Sequence, residues 1–215
     1  MGVRDSLMAG LARQLGRPSG LRGRAVGAML NRANRNTVAQ AVDALSLPSG
    51  AVTADVGFGG GVGLDLLLKA VGGTGTVHGV DVSQTMLAAA AHRFRSDIRS
   101  GRLHLHNASV SELPLPHDSL DGLLTVNTIY FVPELAGPFA ECTRVVKDTG
   151  RVVVGMGDPD AMEKEPYTAH GFRIRPVAEV IEALGSAGLT VEQDVRVGHG
   201  AAAVHLLVAA PVAPA

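Results

Sequence analysis

The stretch DVGFGGGVGLD, Asp55 to Asp65, carries five glycines in the seven positions from 57 to 63. It follows the apolar run AVTADV at 51–56 and leads into an amphipathic run. Glycine tolerates a positive φ and lets another group approach the backbone closely, and a helix that starts there presents unpaired N–H groups. The stretch therefore predicts a ligand-binding turn between a strand and a helix.

The chain beyond this turn alternates between short apolar runs and amphipathic runs. Repeated strand–helix–strand units require a parallel sheet with helices on both faces, because right-handed crossovers place each helix over the sheet. Only GHGAA separates the last two apolar runs, so they should pair antiparallel. We predict an α/β fold, a Rossmann-like, doubly wound, mostly parallel seven-stranded sheet with an antiparallel last strand. Its strands are expected at 51–56, 76–81, 102–107, 120–127, 151–157, 189–197 and 203–209.

Apolar residues at helical spacing indicate the helices. Residues 5–46 show this spacing, interrupted by RPSG at 17–20, and predict two or three helices ahead of the sheet. We expect an N-terminal helical segment at 1–48 within the same domain, a sheet domain at 49–210 and a tail at 211–215. Three further sets of residues should each share an inward face: Leu64, Leu67, Leu68 and Val71; Met86, Ala90 and Phe94; Val177, Val180, Ile181 and Leu184.

Two phosphate-binding motifs lack their defining residues in the glycine-rich turn. A dinucleotide-binding G-x-G-x-x-G motif has no match, because each G-x-G pair is followed at the sixth position by Val or Leu. A P-loop would continue with Lys after Gly63, where Leu64 stands instead. The turn is therefore predicted to bind something other than a pyrophosphate.

Two carboxylates stand at the ends of predicted strands beside this turn. Asp55 precedes the first glycine by two residues, and Asp81 ends the second strand. A carboxylate in the latter position can accept hydrogen bonds from both hydroxyls of a ribose and would repel a 2′-phosphate. A carboxylate at the end of the first strand can order the loop amides and meet a ligand cation. These residues imply a ligand with a free ribose and a cationic or zwitterionic part.

Four segments in register resemble the class I S-adenosylmethionine (SAM)-dependent methyltransferases, in particular the ubiquinone/menaquinone-biosynthesis-like methyltransferase 11 group. They are DVGFGGG, GVDVSQTML, NASVSELPLPHDSLDGLLTVNTIYFVPE and RVVKDTGRVVV, and the resemblance extends from about 51 to 209. It implies SAM as cofactor, S-adenosylhomocysteine (SAH) as product and a SAM-binding domain at 49–210. The family commonly has an acid at the position of Asn107, although an amide oxygen can still accept from the adenine amine. The cofactor-binding residues that the resemblance implies are Asp55, Gly57, Gly59, Gly61, Asp81, Val82, Met86, Asn107, Ala108 and Asn127.

Methyl transfer from a sulfonium is an in-line displacement that needs alignment and, for a hydroxyl nucleophile, a base. Tyr130 follows the fourth strand, where the resembling family builds the wall between SAM and its acceptor, and we predict that it orients the acceptor. His170 lies in the irregular segment 157–176 and is the predicted base, because imidazole titrates near neutral pH. The reaction requires no metal. His104 and His106 face the same way on a strand, but no acid or further His stands at a ligand spacing.

Composition limits the compartment and the partners. The 215 residues are 46% hydrophobic and include one cysteine, Cys142, which fits a reducing compartment and a core position. No apolar run has the length of a membrane span. Residues 1–40 hold seven Arg and one acid, Asp5, which gives this segment a net charge of +6. Because the whole chain has a net charge of −1, the remaining residues carry −7. No aromatic residues are interleaved with these arginines, which disfavours nucleic acid and indicates a solvated helix face.

We therefore expect a cytoplasmic, bacterial methyltransferase that acts on O, N or C of a small, partly apolar molecule. The resembling family often closes its SAM pocket with a helical segment, so the N-terminal helices are predicted to form a lid that excludes water, with Leu, Met and Val facing inward and Arg outward. The apolar positions concerned are Leu7, Met8, Leu11, Leu15, Val26, Met29, Leu30, Val38, Val42 and Leu45. Two other functions stay open. One is a protein that binds SAM or SAH without turnover, or a methyltransferase-like partner subunit; the other is a nicotinamide-dependent oxidoreductase. The sequence leaves open whether the protein is a monomer or a homodimer.

Overall fold

Seven strands form one sheet in a computed structural model of the chain, which describes residues 3–16 and 18–212, without the side chains of residues 3, 4, 21, 22, 24–28, 30, 31, 33 and 201. The order of strands is β3-β2-β1-β4-β5-β7-β6, and β7 alone runs in the direction opposite to the other six strands. The predicted mostly parallel sheet with an antiparallel last strand is confirmed. The strands are β1 (Val52–Val56), β2 (Thr76–Asp81), β3 (Leu103–Asn107), β4 (Leu120–Val126), β5 (Val146–Gly157), β6 (Leu189–Val197) and β7 (Val204–Pro211).

Helices precede the sheet and connect its strands. Short 3₁₀ turns add Ile129–Phe131, Pro166–Ala169 and Gly200–Ala202. Nowhere in the described part of the chain is a helix both long and apolar enough to cross a membrane. The helices are α1 (Val3–Gly16), α2 (Gly20–Ala44), α3 (Val62–Ala70), α4 (Gln84–Arg93), α5 (Arg95–Arg99), α6 (Ala136–Val145), α7 (Pro159–Met162) and α8 (Val177–Ser186).

The sheet reverses its strand order at β1. Thr53 of β1 lies opposite Val77 of β2 on one side and Gly122 of β4 on the other, and both pairings are parallel. The connections that follow β1 and β4 therefore leave in opposite directions and open a crevice at the carboxyl ends of these strands. Ligands of doubly wound sheets bind in such a crevice, and the glycine-rich turn follows β1 at this point.

The helices cover the sheet with the apolar positions that their periodicity indicates, apart from one residue of α8. All predicted positions of the first two sets are buried, although Val71 and Phe94 directly follow the ends of α3 and α4. On α8, Val180 and Leu184 are buried, whereas Ile181 is 37% exposed. Residues four apart lie on one helix face, while the next residue is displaced by about 100° around the axis. The expectation that Ile181 faces the core is therefore wrong.

Helices α1 and α2 meet the rest of the protein along only part of their length. Val38 and Val42 of α2, and Leu45 directly after it, are buried in the same apolar cluster as the α3 face. Leu7 and Met29 are 63% and 55% exposed, so the expectation that they face inward is wrong, because no described element packs over them. Some predictions lie outside the described residues or side chains: outward arginines 4, 17, 22 and 24, inward Val26 and Leu30, and tail residues 213–215.

Strand β5 begins earlier than the predicted residue 151. The chain passes directly from α6 into Val146, which pairs with Leu120 of β4. Residues 147–150 then lack partners on β4, and the register shifts there as it does at a bulge. Lys147 forms an ion pair with Asp121 at 2.6 Å in this interruption. The polar bulge hides the start of the strand from any search for alternating apolar residues.

Three histidines lie together at the β3 edge of the sheet. His78 of β2 contacts both histidines of β3: its Nδ1 is 3.1 Å from Nε2 of His106, and its ring centroid is 5.2 Å from that of His104. Burial, followed by repulsion from His106 and His104, lowers the pKa of His78 to about 4. Within the described residues, no group of three or more His, Cys, Asp or Glu is arranged to hold a metal ion.

We expect this cluster to make the fold sensitive to acid. The folded pKa of His78 lies below its ordinary value of 6.5, so its contribution to stability is present above pH 6.5 and is lost as the pH falls toward 4. The unfolding free energy of the natural chain should decrease over that pH range. With allowance for solvent screening, this decrease should be smaller by about 1–2 kcal/mol in His78→Asn. Urea unfolding at several pH values measures the decrease, and the exposed His92→Asn is the control. The same pH slope in both variants would contradict the expectation.

Candidate active site

The glycine-rich turn lies at the carboxyl end of β1 and leads into α3. Gly57, Gly59 and Gly61 have φ angles of 78°, 50° and 79°, a region that residues with side chains rarely occupy. A Cβ at Gly57 would overlap the Thr128 hydroxyl, which itself lies at the carboxyl end of β4. Gly61 is the N-cap of α3. The turn therefore presents backbone to the crevice at Gly57 and Gly59. Gly61 lies outside the cavity lining, where a Cβ would be 3.2 Å from the ring of Phe94, and its cofactor role stays a prediction.

Asp81 anchors the turn from the end of β2. Its side chain is 7% exposed. One carboxylate oxygen, Oδ2, accepts the N–H of Gly59 at 2.9 Å, and the other, Oδ1, accepts the N–H of Ser83 at 2.8 Å. Burial raises the pKa of Asp81, while these amide hydrogen bonds oppose the rise. Each oxygen keeps a further lone pair, so the carboxylate can still accept two hydroxyl groups from a ligand.

Asp55 lies beneath the start of α3. It is 5% exposed, and a Cβ at Gly63 would overlap its Oδ2 atom. Burial and the nearby negative charge of Asp81 raise the pKa of Asp55 to about 8. A cation in the crevice would favour the ionised form and oppose this rise. The pair of acids therefore gives this part of the crevice an affinity for positive charge.

A cavity of about 520 Å³ opens beside these residues. Most of the predicted site residues line it, although they come from four different loops. Ser83 caps α4, and its oxygen accepts the N–H of Met86 at 3.3 Å. The predicted residues in the cavity lining are Asp55, Gly57, Gly59, Asp81, Val82, Met86, Ala108, Asn127 and Tyr130.

Asn107 is placed beside the cavity and not in its lining. Its amide oxygen accepts from Gln84 at 2.8 Å, and its amide nitrogen donates to the carbonyl oxygen of Asp81 at 3.1 Å. These contacts connect the end of β3 to β2 and α4. One lone pair of the amide oxygen that the sequence assigns to adenine is thus used within the protein, and the adenine role of Asn107 stays a prediction. Ala108 and Ser109, the next two residues, line the cavity instead.

His170 also lies outside the lining of the cavity. Its Nε2 is 3.3 Å from a carboxylate oxygen of Asp5 on α1. A general base has to reach the proton that it removes, directly or through one water. This geometry connects His170 to the N-terminal helix, and its role as a base stays a prediction.

An aromatic wall closes the other side of the cavity. Tyr130 is 2% exposed, and its hydroxyl oxygen accepts the N–H of Gly157 at the end of β5. Three more rings pack around it with centroids between 4.7 and 6.3 Å apart, and all four line the cavity. This set, called the aromatic end below, is Tyr130, Phe131, Tyr167 and Phe172.

A buried guanidinium holds the wall in place. Arg175 donates to the carbonyl oxygens of Ile129, Val132 and Pro133 at 2.9, 2.8 and 2.9 Å. Its Nε lies 3.3 Å from Glu179. Peptide carbonyls that would otherwise be buried without partners are thereby satisfied. The sequence offers no sign of this role, because it depends on where segment 157–176 folds back.

We expect Arg175→Met to destabilise the protein by roughly 2–4 kcal/mol, because several carbonyls lose a charged donor at once. Arg173 donates to the same Pro133 carbonyl at 3.0 Å from an exposed position and provides the matched control. Arg173→Met should cost less than about 1 kcal/mol. Denaturant unfolding of the two variants measures the difference in unfolding free energy. Equal losses would argue against the role of Arg175 in holding the carbonyls of the wall.

Several cavity residues escape the sequence analysis. Thr128 follows β4 at the same carboxyl edge as Asp55 and Asp81, a position that the predicted topology could have indicated. Its neighbour Asn127 has a φ of 59°, which Asn tolerates better than most residues. Asn34 and Thr37 of α2 also line the cavity, and no local signal shows it, because their position depends on how α2 docks.

Residues 54–154 match the family model Methyltransf_11, a methyltransferase domain. The chain is 31% identical over 158 residues to the "Probable S-adenosylmethionine-dependent methyltransferase" of Mycolicibacterium smegmatis, a match that covers 71% of this chain and 57% of that protein. It is 32% identical over 109 residues to demethylmenaquinone methyltransferase of Bacillus licheniformis, which covers 51% and 46%. The chain spans about half the length of the curated relatives that it matches.

A solved structure agrees with this match. The crystal structure of a SAM dependent methyltransferase from Aquifex aeolicus superposes with a TM-score of 0.71 and covers 95% of this chain and 98% of its own. The two sequences are 22% identical, so this likeness concerns the fold. The family match and the relatives confirm the resemblance that the four sequence segments indicate.

Proposed function

We propose that this chain is a class I SAM-dependent methyltransferase that transfers a methyl group from SAM to a small, partly apolar acceptor. The observation that carries the proposal is one cavity in which a glycine turn with two buried acids faces an aromatic wall. The first part suits a cofactor with a ribose and a positive charge. The second suits an apolar molecule, and both open into the same space.

The glycine-rich turn 57–63 together with Asp55 and Asp81, called the glycine end below, would bind several parts of the cofactor. Asp81 would accept the ribose hydroxyls with the lone pairs that Gly59 and Ser83 leave available. Asp55 would face the cationic part of the cofactor, and the turn would let the ligand approach the backbone. When bound, SAM supplies a methyl group that its sulfonium already activates. The chain then contributes alignment and exclusion of water, for which effective molarities of about 10⁵ M or more are attainable.

The acceptor end favours a small molecule over a polymer. Among the described lining residues there is no Lys, Arg or His, so this surface lacks the basic residues that would follow a nucleic-acid backbone. Apolar side chains and aromatic rings make up most of it. The proposed acceptor is accordingly small and partly apolar, with the reacting atom left open at this point.

The N-terminal helices are proposed to act as a lid over this cavity. Leu15 of α1 and Val38 of α2 contribute to its lining. A Cβ at Gly16 would lie 2.6 Å from the ring of Phe131, so the end of α1 packs directly on the aromatic end. The contact between Asp5 and His170 holds the other end of α1 to segment 157–176. Closure of such a helix would exclude water from the reaction.

Calorimetric titration with SAM, SAH and NAD tests the cofactor assignment. We expect micromolar binding of SAM and SAH and no comparable binding of NAD, since the turn lacks the G-x-G-x-x-G pattern with which dinucleotide-binding proteins hold a pyrophosphate. Binding of NAD alone would support the oxidoreductase alternative. Absence of binding by all three would favour a methyltransferase-like partner subunit and would contradict the proposal.

A further inference from the structure

The two ends of the cavity differ in charge. Both carboxylates belong to the glycine end: Asp81 is bonded to the N–H of Gly59, and Asp55 lies under Gly63. The aromatic end contains four of the seven Phe and Tyr residues in the chain. Among the described residues of that end, the tyrosines are the only titratable groups in the lining. An acceptor bound there meets no side chain that would remove a proton at neutral pH.

The Tyr130 hydroxyl has a proton left to donate. Its oxygen accepts the N–H of Gly157, and a phenol carries one proton of its own besides. No described residue accepts that proton. Burial raises the pKa of Tyr130 to about 12, so the group stays neutral and acts as a donor at physiological pH. Because Tyr130 and Gly157 both line the cavity, a bound molecule is the natural partner for this O–H group.

The chemistry of a single buried donor without a base selects among nucleophiles. A neutral amine has one lone pair, and a hydrogen bond from Tyr130 would occupy the electrons that have to attack. A neutral alcohol would need a base to take its proton. A carboxylate concentrates its charge on two oxygens, and an aromatic surface with one donor would compensate poorly for its lost hydration. An ionised phenol or enol spreads its charge over a planar, apolar framework and keeps spare lone pairs on oxygen.

We propose, resting on the proposed methyl-transfer function, that the acceptor is a planar phenol or enol that binds as its anion, and that the Tyr130 hydroxyl donates to its oxygen. One lone pair of the anion accepts this hydrogen bond, and another forms the new oxygen–carbon bond. The carbon–sulfur bond breaks, and its electron pair remains on sulfur. A cationic sulfonium and an anion thus become a neutral thioether and a neutral ether, so no proton has to leave through the chain.

Binding of 4-nitrophenol tests this inference without turnover. The probe ionises near neutral pH, and its anion absorbs visible light, so the ionisation of the bound probe can be read directly. Titrations are run on the full chain with and without saturating SAH. We expect the bound probe to ionise at lower pH than the free probe, and its anion to bind roughly tenfold more tightly than neutral 4-nitroanisole. A bound probe that stays protonated, or equal binding of 4-nitroanisole or 4-nitroaniline, would overturn the inference.

Two variants assign the effect to the hydroxyl. Tyr130→Phe should weaken binding of the nitrophenol anion roughly tenfold and leave 4-nitroanisole within about twofold, because only the donor is lost. Phe172→Leu should weaken both probes, because it alters the wall and keeps the donor. Equal loss of both probes in Tyr130→Phe, or no loss of either, would overturn the role of the hydroxyl. These readouts are separate from the SAM titration, so a failure here and a failure of the cofactor assignment can be told apart.

Discussion

Asp81→Ala is expected to lower the affinity for SAM at least about 100-fold. The variant removes the proposed acceptor of the ribose hydroxyls, and two hydrogen bonds to a charged group are worth roughly 3 kcal/mol together. It also leaves the N–H groups of Gly59 and Ser83 without their present partner, which frees the turn that the carboxylate now anchors. Calorimetric titration of SAM and SAH into the variant measures the loss.

The control for this prediction is Asp43→Ala, which removes an exposed carboxylate on α2. It should bind SAM as the natural chain does, so that a general effect of net charge is excluded. Asp81→Asn keeps the shape of the side chain and one amide oxygen, and its affinity should fall between the two. Full SAM affinity in Asp81→Ala would separate Asp81 from the ribose and remove the main support for the assigned orientation of the cofactor.

Asp55→Asn is expected to stabilise the ligand-free protein while it weakens cofactor binding. The folded pKa of about 8 lies above the ordinary value of 3.8, so the unfolded chain releases this proton more readily than the folded one. Burial of Asp55 therefore costs no free energy of unfolding below about pH 4, where the group is protonated in both states. As the pH rises toward 8, the free energy of unfolding decreases. A neutral amide avoids this decrease. The variant should gain about 1 kcal/mol or more near pH 8, or roughly 2–4 °C in Tm, and little near pH 4.

The same proton should couple SAM binding to pH. Near neutral pH the ligand-free Asp55 is mostly protonated, and a bound cation favours its ionised form. Binding should therefore release a proton, and the affinity for SAM should rise with pH up to about 8, by at most about tenfold for each pH unit. Calorimetry in buffers with different ionisation enthalpies counts the protons released. In Asp55→Asn the release should disappear and the affinity should fall roughly 10- to 100-fold; unchanged proton release would point to another group.

The sheet and the glycine-rich turn were predictable because their signals are local. A strand of about six residues followed by an amphipathic helix leaves a periodic trace, and neighbouring parallel strands place their carboxyl ends at one edge. Asp55 and Asp81 could therefore be expected to meet although 25 residues lie between them in the sequence. The five glycines indicated the place where backbone, and not side chains, lines the crevice.

The contacts that escaped prediction join residues distant in sequence. His170 is an ordinary loop histidine by spacing, and only the docking of α1 brings Asp5 to it. His78 lies 26 residues before His104, and strand pairing alone makes them neighbours. Arg175 has the sequence context of a surface cation, yet it is 6% exposed because the carbonyls of the wall surround it. Local pattern determines elements and their ends, whereas these roles arise from tertiary packing.

Transfer of label from [methyl-¹⁴C]SAM tests the central claim most directly. The chain is incubated with labelled SAM and a panel of apolar phenols, enols and amines, and the products are extracted into organic solvent and counted. We predict that label appears in an extracted product of one or more phenols or enols, depends on the chain and is lost in Asp81→Ala. If the chain binds SAM tightly yet no label leaves it with any acceptor class, the protein would be a SAM-binding protein without turnover, and the proposed methyl transfer would be wrong.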